Sequence, residues 1–210
     1  MMFAIPSQPI FQGASRAGRI LAAALLTFSL VFALSAVVAA TGQEANAAQK
    51  KPRKLKNMLY LELSSGRVVI EMYPDAAPKH VARIKELARQ KFYDGIVFHR
   101  VIPGFMAQTG DPTGTGTSGS GQKLPAEFSK TLSFERGTIG MARTADPNSG
   151  DSQWFICFAA APHLDGQYTI WGKVIEGMDL VDKVAPGEPP ATPDKIITLR
   201  VAEDVEKDKK

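Results

Sequence analysis

Cysteine is almost absent from this sequence of 210 residues. The one cysteine, Cys157, excludes an intramolecular disulfide and any metal site built from several cysteines. It lies within the apolar run of residues 154–161, so we expect a buried and unreactive thiol. The chain has three histidines, and no cluster of metal-ligating residues is evident. We therefore expect no metal ion and no other cofactor.

The chain also lacks a strong excess of one charge. Its formal net charge is +4 and its pI is about 9.2, and lysines and arginines mostly alternate with acidic residues. This pattern does not indicate a nucleic-acid partner. The local exception is a basic run within residues 49–56, formed by Lys50, Lys51, Arg53, Lys54 and Lys56. We interpret this run as a solvated linker, although its charge also suits contact with anionic lipid.

A phosphate-binding motif is missing, despite a glycine-rich stretch at residues 110–121. Gly114, Gly116 and Gly119 match the letters of a dinucleotide-binding fingerprint. That fingerprint must open a helix, and a phosphate loop needs Lys-Ser or Lys-Thr directly after its last glycine. Here Gly121 precedes the letters QKLP, and a proline resists a continuing helix. This context argues against nucleotide binding and predicts a flexible surface loop.

Residues 1–48 differ in composition from the rest of the chain. Arg16 and Arg19 precede an uncharged stretch, residues 20–40, that is rich in alanine and leucine. The small-x-small pattern Ala45-Asn46-Ala47 follows, as in a secretory signal peptide with its cleavage site. The stretch is also long enough to span a bilayer, so a retained membrane anchor stays open. We favour cleaved export, which predicts a periplasmic or secreted protein. The alternative is a membrane-anchored protein whose domain also lies outside the cytoplasm.

Alternating and apolar segments after residue 57 predict a mainly β domain. The runs 58–63 and 67–73 alternate in polarity around Ser-Ser-Gly, which indicates a β-hairpin. Residues 78–90 change to a helical period, with Pro78 in the first turn. We predict further short strands at 96–102, 105–109, 137–143, 152–159, 168–175 and 196–205, a second helix at 178–184 and a disordered charged tail at 206–210. Seven or eight short strands with two helices are typical of an antiparallel β-barrel or sandwich.

Five segments carry a resemblance to a known family. In chain order, "LELSSGRVVIEMYPDAAP", "FHRVIPGFMAQTGD", "GTIGMAR", "DSQWFICF" and "HLDGQYTIWGKVIEGMDLVDKV" resemble the cyclophilins, which are peptidyl-prolyl cis–trans isomerases. The similarity extends over residues 57–205. It implies a closed eight-stranded antiparallel β-barrel capped by two helices. It also implies a monomer whose partners are proline-containing polypeptides, such as unfolded or nascent exported proteins.

The resemblance implies roles for individual residues. By this resemblance we expect Arg100 to be the catalytic cation, with Gln108 and Phe105 completing the catalytic set. Rotation about an X–Pro bond breaks no covalent bond, so a fixed cation beside an apolar surface suits the reaction and a nucleophile is not needed. The residues implied to bind the substrate are Met106, Ala142, Arg143, Gln153, Phe155, His163, Leu164 and Tyr168.

Three positions depart from the usual family pattern. His163 stands where many members have a tryptophan that is tied to tight cyclosporin binding. Arg143 replaces the asparagine of the larger eukaryotic members, and Tyr168 replaces a common histidine. These changes bear on inhibitor sensitivity and sequence preference, not on the reaction. Of the other histidines, we expect His80 on the surface and His99 in a structural position.

Two functions from different classes remain. One is an isomerase that assists the folding of exported proteins. The other is a peptide-binding, holdase-like module that keeps the groove but turns over little. Arg100 and Gln108 together favour the enzyme, because binding alone does not require the cation.

Asp111 and Asp151 are far apart in sequence, and we assign them no acid–base role.

Overall fold

The computed structural model describes residues 55–209. The predicted signal peptide or anchor at residues 1–48 and most of the predicted linker at 49–56 lie outside the described residues. The end of that linker forms a single 3-10 turn, Leu55–Asn57. Within residues 55–209, no helix has the length and apolar character needed to cross a membrane.

The described residues form eight strands and three helices. In chain order these are β1 (Met58–Leu63), β2 (Gly66–Met72), α1 (Pro78–Arg89), β3 (Arg100–Ile102), β4 (Met106–Thr109), β5 (Thr138–Met141), β6 (Trp154–Cys157), β7 (Ile170–Glu176), α2 (Met178–Val181), β8 (Thr198–Val201) and α3 (Ala202–Lys207). The predicted β-hairpin and the predicted long helix are confirmed, with small differences at their ends. The predicted strand at 96–102 is wrong in its first half, because β3 begins only at Arg100.

All eight strands belong to one antiparallel sheet, in the order β3-β4-β6-β5-β7-β2-β1-β8, which curls into a half-barrel. The expected closure is wrong, because no ladder joins the edge strands β3 and β8 in residues 55–209. An isolated bridge between Val97 and Lys195 links only the segment before β3 to the segment before β8. Residues 186–193 contain four prolines, which lack the N–H groups that a ladder needs. This segment therefore cannot continue the sheet as a regular strand.

The C-terminal end of the domain differs from the sequence-based prediction. The predicted strand at 196–205 ends as β8 at Val201, and residues up to Lys207 form α3 instead of the start of a disordered tail. Glu203 and Asp204 lie in the first turn of α3, where acidic side chains favour a helix. Asp204 also accepts a hydrogen bond from Arg89 Nε at 2.8 Å, which ties α3 to α1. The sequence predicted two helices, and residues 55–209 contain three.

Alternation along the strands separates two apolar clusters. In β6, Trp154 and Ile156 belong to the main core, together with the apolar face of α1. Phe155 and Cys157 point to the opposite face of the sheet and belong to a second cluster. Because side chains alternate between faces along a strand, the same short strands build both clusters.

The N-terminus of α1 is capped by a distant carboxylate. Glu127 accepts hydrogen bonds from the backbone N–H groups of Lys79 and His80, each at 3.1 Å, and from the His80 ring at 2.7 Å. His80 is 1% exposed, so its predicted surface position is wrong. Burial lowers the pKa of His80, and the contact with Glu127 only partly opposes this effect. His80 and Glu127 are 47 residues apart in the sequence, so no local pattern predicts this contact.

Candidate active site

Four strands place a row of residues side by side on the outer face of the sheet. Arg100 of β3 pairs with Gln108 of β4, Gln108 pairs with Phe155 of β6, and Phe155 pairs with Gly140 of β5. Directly opposed residues on neighbouring strands share one face. The register therefore brings a cation, an amide, an aromatic ring and a residue without a side chain into one line.

A cavity of about 250 Å³ opens beside this row. Nine of the eleven residues named from the sequence line it: Arg100, Phe105, Met106, Gln108, Ala142, Arg143, Phe155, Leu164 and Tyr168. Arg100 and Gln108 are cross-strand neighbours and form a polar edge, and six of the nine lining side chains are apolar or aromatic. Such a cavity suits a small apolar ring whose neighbouring amide contacts the polar edge.

The two remaining residues lie next to the cavity. Gln153 donates from Nε2 to loop carbonyls and accepts from Gln108, and it lines a neighbouring groove of about 470 Å³. His163 packs its ring against Phe105, with the ring centroids 5.6 Å apart. The groove shares Gln108, Ala142 and Arg143 with the cavity, so the two depressions are adjacent.

A chain of hydrogen bonds orients the cation. Arg100 Nη1 donates to Gln108 Oε1 at 3.5 Å, and Gln108 Nε2 donates to Gln153 Oε1 at 2.9 Å. Gln153 Nε2 then donates to the carbonyl oxygens of Gly116 at 3.0 Å and Ser118 at 2.7 Å. Each amide thus has a defined orientation, because its oxygen and nitrogen face different partners.

The glycine-rich loop at the end of this chain is organised around Asp111. This carboxylate is fully buried, and it accepts hydrogen bonds from the Thr113 backbone and hydroxyl at 2.8 Å and from the Ser118 backbone at 3.2 Å. Burial alone raises the pKa of Asp111, but the hydrogen bonds from Thr113, Ser118 and Gly116 outweigh it and lower the pKa to about 2. Sequence reasoning missed this role.

Asp151 holds the end of the same loop. It accepts hydrogen bonds from the backbone N–H groups of Ser120 at 3.0 Å and Gly121 at 2.9 Å. Ser120 also accepts a hydrogen bond from the buried Arg83 of α1 at 2.8 Å. The sequence predicted a flexible loop here. In the structure, hydrogen bonds hold this segment at both ends. Asp111 and Asp151 therefore act on the loop and not as an acid–base pair.

Aromatic side chains form the apolar wall. The ring of Phe155 stacks on Phe134 with centroids 5.7 Å apart, and it meets Tyr168 edge-on at 6.0 Å. The guanidinium of Arg143 lies over the Tyr168 ring, 4.3 Å from its centroid. Phe134 lies behind the wall and was not among the residues named from the sequence.

The groups nearest the cavity do not form a nucleophilic site. Cys157 lies beneath the cavity in the second apolar cluster, and burial raises its pKa to about 12, so it is a protonated thiol at neutral pH. His99 is 6% exposed beside Arg100, and burial lowers its pKa. Its predicted structural position agrees with this burial. The arrangement offers a fixed cation, amides and an apolar pocket.

Residues 58–201 match the sequence model of the family described as "Cyclophilin type peptidyl-prolyl cis-trans isomerase/CLD". The chain belongs to the cyclophilins. The resemblance stated from the sequence is confirmed, and so is the class of enzyme, a peptidyl-prolyl cis–trans isomerase.

Curated relatives of this cyclophilin carry the same activity in their names. A "Probable peptidyl-prolyl cis-trans isomerase" of Brucella suis is 50% identical, over 71% of this chain and 84% of the relative. The "Peptidyl-prolyl cis-trans isomerase B" of Bacillus subtilis is 40% identical, over 64% of this chain and 94% of the relative.

Solved structures agree with the fold. A cyclophilin from Hirschia baltica is 29% identical with a TM-score of 0.66, covering 72% of this chain and 76% of that chain. A Cryptosporidium parvum cyclophilin type isomerase, solved in the presence of the dipeptide Ala-Pro, is 28% identical with a TM-score of 0.64. The match covers 69% of this chain and 98% of that one.

Proposed function

We propose that this isomerase accelerates X–Pro rotation by holding Arg100 against the twisted imide while the apolar cavity grips the proline ring. Twisting the bond breaks amide conjugation and returns a lone pair to the prolyl nitrogen. A charged donor at that point stabilises the twisted state more than either planar state. The observation that carries the proposal is the register that sets Arg100 and Gln108 beside the apolar wall of one cavity.

The required rate acceleration is consistent with two contributions, a charge-assisted hydrogen bond and the positioning of the substrate. Uncatalysed exchange takes tens of seconds, and reaching milliseconds requires about four decades, or about 5–6 kcal/mol. One charge-assisted hydrogen bond contributes about 1.5–3 kcal/mol. Positioning of the proline ring and of the flanking backbone supplies much of the remainder. The Ala-Pro dipeptide present with the Cryptosporidium parvum relative supports a proline-containing ligand for this cavity.

Replacement of the cation tests the mechanism. Arg100→Ala should lower kcat/KM by about 10–100-fold, which corresponds to the loss of one charge-assisted hydrogen bond. Arg100→Lys should recover little, because a flexible ammonium lacks the planar fork. The measurement is a protease-coupled isomerisation assay on residues 49–210, with thermal unfolding to check the fold. Near wild-type turnover in Arg100→Ala would exclude this role for the cation.

The same variant separates the enzyme from a holdase-like module. A module that only binds peptides would retain its affinity for an X–Pro peptide and show little turnover before or after the substitution. The isomerase mechanism predicts substantial wild-type turnover that falls in Arg100→Ala while peptide affinity changes little. Titration of a proline-containing peptide, alongside the rate measurement, distinguishes the two.

We further propose that the protein acts on exported polypeptides outside the cytoplasm. The support is the order of charge, apolar stretch and small residues within residues 1–48, together with the folding relevance of X–Pro isomerisation. Expression of the full chain in a bacterial host, followed by cell fractionation and mass determination, tests this proposal. A product that begins after Ala47 in the periplasm supports cleaved export. A full-length product in the membrane supports the anchored alternative, and a full-length product in the cytoplasm contradicts both.

A further inference from the structure

A second charged residue contacts the proposed catalytic cation. The Nε of Arg100 donates a hydrogen bond to Glu188 Oε2 at 2.6 Å. Gln108 holds the same guanidinium at Nη1. A guanidinium carries five N–H donors in a rigid plane. Contacts at two of its three nitrogens fix the orientation of that plane, and the remaining donors stay available to a ligand.

The position of Glu188 is set by the backbone. Gly187 and Val101 exchange two hydrogen bonds, at 2.8 and 2.9 Å, which forms an isolated antiparallel bridge. A second isolated bridge, between Gly187 and Pro190, shows that the chain turns at residues 188 and 189. Glu188 directly follows Gly187, and Arg100 directly precedes Val101, so the bridge brings the two residues close together. Gly187 has φ +145°, and a Cβ there would lie 2.5 Å from Pro190 Cα. The turn therefore depends on glycine at this position, and the turn places Glu188.

The pair is unsuited to a role in stability. The side chains of Arg100 and Glu188 are 41% and 52% exposed. Exposed ion pairs contribute little to folding, because water screens the charges and ordering the side chains costs entropy. A contact that adds little to stability still restricts an otherwise flexible side chain. At a site where one N–H must meet the prolyl nitrogen, that restriction acts on the rate.

We propose that Glu188 is a positioning residue for the isomerase reaction, holding the guanidinium of Arg100 in the plane that faces the proline cavity. This inference rests on the proposed role of Arg100. Glu188 acts through the arginine and does not line the cavity. Its removal leaves the apolar grip on the proline ring unchanged while Arg100 samples other orientations. The effect belongs in kcat and not in KM.

The test compares four variants of the protein, together with the single variant Arg100→Ala, in isomerisation kinetics at several peptide concentrations. Glu188→Ala should lower kcat about 3–10-fold with KM within about twofold of the wild-type value. Glu188→Gln still offers an acceptor to Nε and should lose less than Glu188→Ala. The matched control is Glu62→Ala, which removes the same kind of contact, Glu62 Oε1 to Arg67 Nε at 2.5 Å, on the β1–β2 hairpin. It should leave both constants unchanged. The fourth variant combines Glu188→Ala with Arg100→Ala.

The double variant decides whether Glu188 works through the arginine. Removing Glu188 from the Arg100→Ala protein should cause no further loss, because no guanidinium remains to be held. An additional loss of the same size would show an independent role and overturn the inference. An unchanged or increased kcat in Glu188→Ala would also overturn the inference, if Arg100→Ala is strongly impaired. In that case the proposed mechanism of Arg100 would hold without a role for Glu188. Wild-type turnover in Arg100→Ala would instead remove the basis of both proposals.

Discussion

Gly140 is the last residue of the cross-strand row at the site, and adding one methyl group there should damage the cavity that we propose binds proline. A Cβ at this position would lie 2.5 Å from Cζ of Phe155 and 2.7 Å from Cε1 of Phe134. Carbon atoms in good contact are about 3.5–4.0 Å apart, so the rings must move by about 1 Å. Gly140→Ala should therefore displace the stacked pair, of which Phe155 lines the cavity.

Two effects follow from that displacement. Overpacking of this kind costs about 1–3 kcal/mol of unfolding free energy. A wall displaced by about 1 Å should also lower kcat/KM, by about 10–100-fold, because the proline ring no longer fits while Arg100 stays in place. The assay is the isomerisation rate per folded molecule, with the folded fraction taken from urea denaturation under the same conditions.

Gly172→Ala is the matched control for this prediction. A Cβ at Gly172 would lie 2.7 Å from the backbone oxygen of Glu71, so the substitution is similarly crowded. Gly172 lies in β7 and does not line the cavity. It should lose stability but keep kcat/KM per folded molecule within about twofold of wild type. Equal activity of the two alanine variants, once corrected for folding, would refute the argument that Gly140 makes room for the wall.

Two further predictions concern the loop and the rim. The pKa of Asp111 falls from its usual 3.8 to about 2 on folding, so the ionised group stabilises the folded state at pH 7 by about 2 kcal/mol. Asp111→Asn should show this deficit in urea denaturation at pH 7. The difference from wild type should shrink as the pH falls from about 4 to 2 and be lost below the folded-state pKa. A deficit unchanged at pH 2 would contradict the assignment. His163→Trp should tighten cyclosporin binding by about 1–3 kcal/mol, because indole adds apolar area and a donor beside Phe105. A calorimetric titration that shows no gain would mean that position 163 does not control the rim.

The sequence was sufficient for the parts of the fold that have a local signal. The alternation on both sides of Ser64 and Ser65 predicted the hairpin, and the change to a helical period at Pro78 predicted α1. It failed where local preference and tertiary context disagree. Residues 96–99 have strand-forming side chains, but they pair with the segment around Lys195 through one isolated bridge only, and the chain before that segment is rich in proline. Closure of the sheet therefore could not be read from the strands alone.

The candidate site divides in the same way. Residues inside the family motifs were named from the sequence, and nine of them line one cavity. Three of the residues missed act through contacts between distant segments. Glu127 reaches α1, Glu188 reaches Arg100, and Phe134 stacks behind Phe155. No spacing or local pattern marks such contacts, because they depend on which strands become neighbours.

The alternation of side chains along β6 has a consequence for how this enzyme can diverge. Trp154 and Ile156 face the main core, whereas Phe155 lines the cavity that we propose binds the substrate. Successive codons of one four-residue strand are therefore subject to different constraints, one from folding and one from the ligand. A library that varies only the outward positions of β4 and β6 would explore peptide preference on a nearly constant scaffold. Varying the inward positions would mainly yield proteins that fail to fold.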